Sequence, residues 1–517
     1  MFCGYTANRN QSRTINSLNM SSHSSCLGPI IDSIATGFRL ESHQEQDIIH
    51  LDQQQGLSCC KCGLGQFGIH PSPSASMSKL EYPEPLSPHR EKLLINLQDG
   101  DAPEYPSILE EVIDRLSPDL RKWSLQVFDY AEIAMEEFKT HDLIAQIFES
   151  TPGWKVTRHA YGIQTAVEAV FTVGKGGRTV GFNSEMDALP GIGLLRARHA
   201  CGHPLICIAG IAAAMATAQA LKKTNTPGKV ILLGTPAEET IGGKIKLLKL
   251  GAYRGMDACL MLHPAPFGGM LPMLAISQVK VEYFGKNAHA AAAPWEGINA
   301  LDAAVAAYTN VSLLRQQIRP DERVHGIIQG SEHWVSNGPS GFCLLGLFCT
   351  TLRIIPDYAW LRYDIRAPTR EGMEKLKARV MKCFQAASDA SGCRMKIEEE
   401  MVYADLINNP PLAKEYHEYM EKIMGIAAPM EGPTLGSTDF GNVSYEVPSI
   451  HPIYAIPTVP GQGNHTRGFT QAAATEEAHQ LTLKSAKGIA VAAWKVLADQ
   501  RFAQEVRKAF KPSSSQS

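Results

Sequence analysis

Apolar and polar residues follow two different rhythms along this 517-residue chain, and the change between them divides it. From about 105, "PSILEEVIDRLSPDLRKWSLQVFDYAEIAMEEFKTHDLIAQIFES" repeats apolar residues every three or four positions, the spacing of helices that bury one face. Ser117-Pro118 predicts a break, with a second helix starting at the proline. "TAVEAVFTV" and "RTVGFNSEMDA" read as strands, and "LICIAGIAAAMATAQALKK" as a helix of small residues. "GKVILLGTPAEE" and "MDACLMLHP" read as buried strands. This alternation predicts an α/β unit: a mixed, mainly parallel sheet with helices on both faces. In such sheets functional groups collect at the carboxyl ends of strands. Asp187, Glu238, Glu239 and His263 fall there.

A second, smaller α+β unit is expected over 276–395, where "AISQVKVEYFGK" and "AWLRYDIRAP" alternate like strands and two amphipathic stretches read as helices. The first unit is thus expected to be split, 105–275 plus 396–510. Residues 1–80 lack sustained periodicity and are rich in Ser, Gln, His and Pro, which predicts a disordered extension. "CCKCG" at 59–63 has no second Cys/His pair at zinc-finger spacing.

Charge changes the picture only by exclusion. A net charge of −3 gives no electrostatic reason to expect nucleic acid or an anionic membrane as partner. The longest apolar run, 341–352, is too short to span a bilayer. No basic-then-apolar leader is evident, and the twelve cysteines are irregularly spaced. Both features predict reduced thiols and a cytoplasmic protein.

The densest candidate chemistry is "RHACGH", with His199, Cys201 and His203. Alone it is weak evidence for metal, since a buried loop Cys or a satisfied His is commoner than a ligand, and a cysteine nucleophile is a further reading. Its company favours metal: paired carboxylates in "TPAEE" (Glu238, Glu239), His263 in "MLHP" and His465 in "GNHT". Thiolate, imidazole and carboxylate together suit zinc, cobalt or manganese, whereas calcium or magnesium would call for oxygen alone.

These stretches, with "EMDALPGIG", "FGKNAHAAAAPWEGINALDA", "IIPDYAWLRYDIRAPT" and "GSTDFGNVSYEVPSIHP", resemble the metal-dependent amidohydrolase and dipeptidase family. That family includes aminoacylases, carboxypeptidase G and auxin-conjugate hydrolases, and the likeness is greatest to its Xaa-Arg (β-alanyl-lysine) dipeptidase group. The resemblance covers roughly 125–480 in the family's order. It implies two divalent metal ions, zinc first and manganese or cobalt as alternatives, in a catalytic domain interrupted by a lid that also makes a homodimer. Carried onto this chain, Cys201 would bridge the ions as thiolate. Glu239 and His465 would complete one site, and His203 and His263 the other. Asp187 would fix the tautomer of a ligating imidazole, and Glu238 would be the general base. In the lid, His289 would reach the partner's active site, while Asn337 and Arg366 would contact the substrate's carboxylate end. The implied substrate is a small dipeptide or N-acyl amino acid. The alternatives are an acyl-amino-acid or aryl-glutamate amidohydrolase, a catalytically impaired binding relative, or a cysteine hydrolase using Cys201. Three features depart from the family pattern: "LLRAR" at 194–198, Pro204 directly after His203, and the apolar insertion 338–352.

Overall fold

The computed structural model describes residues 105–191, 197–329, 353–427, 429–430 and 436–510. The expected extension at 1–80, Asn337 and the 338–352 insertion lie outside these residues.

In the first unit, β1 (Trp154–Arg158), β2 (Val167–Val173), β3 (Arg178–Glu185), β4 (Gly228–Thr235) and β5 (Ala258–Leu260) are joined by β11 (Ser449–Ile450). The sheet order is β1-β2-β4-β3-β5-β11. β4, β3, β5 and β11 are parallel neighbours, while β2 pairs antiparallel with β1 and β4. β4 explains why helices cover both faces. Its Val230 and Leu232 enter the core built with the His203–Thr224 helix, and Ile231 and Leu233 enter a second core with Leu247 and Phe440.

The His203–Thr224 helix has the length and apolarity of a membrane span. It is nevertheless buried, packed between β3 and the helices Ile108–Tyr130 and Glu476–Ala498. Its composition is therefore that of a core helix.

β6 (His263–Ala265) and β12 (Ile453–Ala455) form a short parallel pair. "MDACLMLHP" is thus two strands in two sheets, and the break turns His263 away from the main sheet. The expected interruption at Ser117-Pro118 is absent, and Ile108–Tyr130 is one helix. Its neighbour Glu476–Ala498 grips the proline turn: His479 Nε2 donates to the Ser117 carbonyl (3.1 Å), and Lys487 Nζ meets Asp114 Oδ1 at 2.5 Å. Packing here overrides a local propensity.

The second sheet contains β7 (Ala275–Phe284), β8 (Arg323–Ile328), β9 (Tyr358–Ala367) and β10 (Arg394–Tyr403) in the order β10-β7-β9-β8. The helices Ala300–Leu314 and Arg370–Ser391 cover one face, burying Val279, Val281, Leu361 and Tyr363. β10 pairs with β7 as far as Tyr403, so this sheet runs past the expected limit at 395.

Candidate metal centre

Two loops and three strand ends build the site. Gly202 carries the turn between Cys201 and His203: its φ is +87°, and a Cβ there would stand 2.6 Å from Pro264 Cγ. Pro204 falls in the first helical turn, where a missing N–H costs nothing, so this departure leaves His203 in place. The other departure nearby is clamped at its base. Leu189 and Arg198 exchange two backbone hydrogen bonds of 3.0 Å, and 192–196 between them lie outside the described residues. Downstream, the His465 N–H donates to the Ala200 carbonyl (2.8 Å), and Thr466 caps the helix that follows.

The donor atoms converge. Cys201 Sγ lies 3.3 Å from His263 Nε2, His203 Nε2 lies 3.6 Å from Glu239 Oε1, and His465 Nε2 lies 3.5 Å from the same oxygen. Two overlapping trios, Cys201/His203/His263 and Cys201/Glu239/His465, each keep their ligand atoms within 4.8 Å of one another. Cys201 is common to both, as a bridging ligand must be. His263 Nδ1 donates to the Pro264 carbonyl (2.9 Å), leaving Nε2 as the free ligand atom. Asp187 Oδ1 sits 3.2 Å behind His203 Nδ1, and Asp187 Oδ2 accepts the Glu239 N–H (3.0 Å).

Electrostatics fit a cation. Burial, then Glu239, pushes the Cys201 thiol well above its ordinary pKa, so a thiolate there needs a positive partner. Burial works to lower the His203 pKa, but Glu185 and Asp187 outweigh it and raise it, a sign of surplus negative charge around this imidazole. Burial keeps His263 below its usual value, in the neutral form that binds metal. His203 Nε2 and Glu239 Oε1 are buried and have no hydrogen-bond partner. Orphaned ligand atoms amid surplus acid are what a removed cation would leave, so the donors suit metal.

Glu238 points into the same space, its carbonyl held by the Tyr403 hydroxyl from β10 (2.6 Å). Burial raises its pKa well above the carboxylate range, reinforced by Glu185, Glu239 and Asp439. Cys201, Glu238, Glu239, His263 and His465 share a cavity of about 560 Å³ with Gln278, Asp364 and Arg366 of the second sheet. A second cavity, of about 460 Å³, lined by Tyr253, Arg254 and Tyr445, includes none of the ion-capable clusters among the described residues.

A family model for peptidase family M20/M25/M40 matches residues 181–478. The chain belongs to this family. Xaa-Arg dipeptidases of Mus musculus and Homo sapiens are 41% and 39% identical to it, each alignment covering 78% of this chain and 91% of the relative. A component of the p-aminobenzoyl-glutamate hydrolase of Escherichia coli is 30% identical over 51% of the chain and 54% of its own length. Among solved structures, an aminobenzoyl-glutamate utilization protein from Klebsiella pneumoniae superposes with a TM-score of 0.56 at 18% identity. It covers 76% of this chain and 99% of its own. A dinuclear metal-binding M20 peptidase from Bacillus subtilis gives 0.53 at 17%, over 74% and 99%. These likenesses carry the M20 fold: a mixed, mainly parallel sheet with helices on both faces and a smaller inserted unit.

Seven of the residues singled out in the sequence meet at this site: Asp187, Cys201, His203, Glu238, Glu239, His263 and His465. Arg366 lines the cavity. His289 is exposed and does not line it; its Nδ1 accepts the N–H groups of Ala291 and Ala292 at 3.2 and 3.0 Å. His199 is a core histidine whose Nε2 donates to the Val127 carbonyl (2.9 Å), while its buried Nδ1 has no hydrogen-bond partner.

Sequence reasoning missed a buried triad behind His203. Lys244 Nζ lies 2.6 Å from both Glu185 Oε1 and Asp439 Oδ1, and Glu185 Oε2 is 3.4 Å from His203 Nε2. Burial alone would raise Glu185, but Lys244 and His203 hold it at about 2. Glu185 had a signal: it stands two residues before Asp187 at the end of β3, on the same side of an ideal strand.

Proposed function

We propose that the chain is a dinuclear metal-dependent dipeptidase that cleaves Xaa-Arg or Xaa-Lys type amide bonds. The observation that carries this reading is the shared Cys201: two three-donor clusters meet at one sulfur, beside the Glu238 carboxyl, which itself clusters with His203 and Glu239. Zinc is the metal of choice for that mixture of sulfur, nitrogen and oxygen. Cys201, Glu239 and His465 would hold one ion, and Cys201, His203 and His263 the other. Two such ions, when bound, supply Lewis acidity to the amide carbonyl, acidify the attacking water and offset oxyanion charge. Glu238, which lines the cavity beside Glu239, takes the proton from water and returns it to the leaving amine. Asp187 orients His203, and Arg366 receives the substrate's carboxylate. The chain acts as a homodimer through the second sheet, in the cytoplasm. The five free cysteines among the described residues, Cys201, Cys207, Cys259, Cys383 and Cys393, agree with a reducing compartment.

The pair Cys201 and His263, 3.3 Å apart, also invites a cysteine-hydrolase reading. Against it, the thiol pKa is raised and that of His263 lowered, so neither group is primed without a cation. One experiment separates the two. Protein is stripped with chelator, reloaded with zinc, and assayed on β-alanyl-lysine, alanyl-arginine and acetyl-amino acids. The expected result is loss and return of dipeptide hydrolysis, with Glu238→Ala reducing the reloaded rate roughly a hundredfold or more. Activity that survives chelation removes the metal mechanism, and rates highest on acetyl-amino acids remove the dipeptidase assignment.

A further inference from the structure

β9 alternates strictly. Ala359, Leu361, Tyr363 and Ile365 are buried against the lid helices, so Asp364 and Arg366 stand together on the opposite face. Both line the 560 Å³ cavity that holds the candidate metal ligands. Arg366 has a task there, since an amino acid leaving group carries a carboxylate. Asp364 has none in the hydrolysis, and it belongs to none of the ion-capable clusters.

The surroundings of Asp364 suggest what it meets. Its Oδ1 accepts from Gln278 Nε2 (2.8 Å), and its Oδ2 lies 3.2 Å from Arg366 Nη2 and 3.8 Å from His325 Nε2. Its side chain is only 16% exposed. Arg366 Nη1 also reaches Ser437 Oγ (3.2 Å), while the buried Nε has no hydrogen-bond partner. On the wall formed by the second sheet, the cavity thus holds an Asp364–Arg366 pair, apart from the candidate metal ligands, whose base retains unused donor capacity.

We propose that Asp364 is the subsite for a cationic side chain on the leaving amino acid. It binds the guanidinium or ammonium while Arg366 takes the α-carboxylate. The inference rests on the dipeptidase reading and adds to it the residue that selects the substrate. A basic amino acid carries the same two charges as the Asp364–Arg366 pair. On binding, one internal pair becomes two intermolecular pairs and every charge stays compensated. The Cα atoms of positions two apart on a strand are separated by about 7 Å. Once the substrate parts the two charged ends, now 3.2 Å from each other, they can stand as far apart as the two ends of an arginine or lysine. A leaving residue with a neutral side chain would still draw Arg366 to its carboxylate. It would leave Asp364 confined, with Gln278 as its closest partner, and that uncompensated charge disfavours the wrong substrate.

The test compares alanyl-arginine with alanyl-norleucine on native protein and Asp364→Asn, both zinc-loaded. The arginine-to-norleucine ratio of kcat/KM is expected to fall about tenfold or more, the effect of losing one charge-assisted contact in a confined site. Both rates come from one preparation, so a partly folded variant leaves the ratio unchanged. An unaltered ratio overturns the proposal. Calorimetry with free L-arginine and L-norleucine makes the same comparison without turnover. If native protein cleaves neither dipeptide, the dipeptidase reading fails on its own. In that case, a binding preference for arginine that Asp364→Asn abolishes upholds the subsite, and the absence of any preference sinks it.

Discussion

Ala237 holds the backbone at φ +59°, in the left-handed region, one residue before Glu238. For an alanine this costs about 1 kcal/mol, so something must hold it. Its N–H donates to Glu137 Oε1 (2.9 Å), and its carbonyl accepts from the Gly243 N–H (3.2 Å). Glu137 is therefore a positioning residue for Glu238 and Glu239. Burial, with a contribution from the Asp187 charge, lifts its pKa from 4.5 to about 7. The sign follows from linkage. The folded state binds this proton more tightly than the unfolded chain, so the associated stability is intact below about pH 4.5 and is lost as pH rises to about 7. Glu137→Gln keeps the acceptor oxygen and removes the titration. Relative to that variant, native protein is expected to lose on the order of 2 kcal/mol between about pH 5 and about pH 8. Urea unfolding of both, stripped of metal, measures it, and a pH-independent difference would contradict the assignment.

Among elements, the Ile108–Tyr130 helix shows how far local signals reach. Its apolar spacing was plain in the sequence, but Pro118 was not the end of it, because Glu476–Ala498 supplies the contacts that hold the turn together. Pro118→Ala restores a donor within the helix and is expected to stabilise the protein by roughly 1–2 kcal/mol, after allowing for the looser unfolded chain. The urea midpoint should rise at unchanged m value, and a lower midpoint would show that the proline fits its turn better than an alanine does. The buried strands were legible for the opposite reason: β4 carries the apolar run 230–233 and β3 the strand formers Thr179, Val180 and Phe182, so their ends, and the acids placed there, could be located. β10 was not. As an outer strand carrying Glu398, Glu399 and Glu400, it has the charge that protects a sheet edge and hides a strand pattern. Lys244 was equally hidden. A lysine in "GGKIKLL" reads as solvated, and only Glu185 and Asp439, brought from other elements, account for its complete burial.

At the scale of the whole molecule, the edge of the second sheet is the surface on which a second copy of the chain would act. His289 sits on the second unit, exposed and turned to its own loop, and on the same unit Trp295 and, in β8, Ile327 and Ile328 are exposed apolar residues. Among the described strands β8 is one of the two outer ones of its sheet, and a second copy placed along it would cover this side. If His289 serves the site of the partner, each active site takes Glu238 from one chain and His289 from the other. Glu238→Ala and His289→Ala would then each be nearly inactive alone. Refolded together as an equal mixture, half of the dimers are mixed. Each mixed dimer has one site with both residues intact, and one with neither. About one quarter of native activity should return, as random pairing of a two-fold dimer requires. A monomer, or a dimer whose His289 serves its own chain, gives no intact site in any combination. Activity in the refolded mixture no higher than in the separate variants would therefore rule out the shared site.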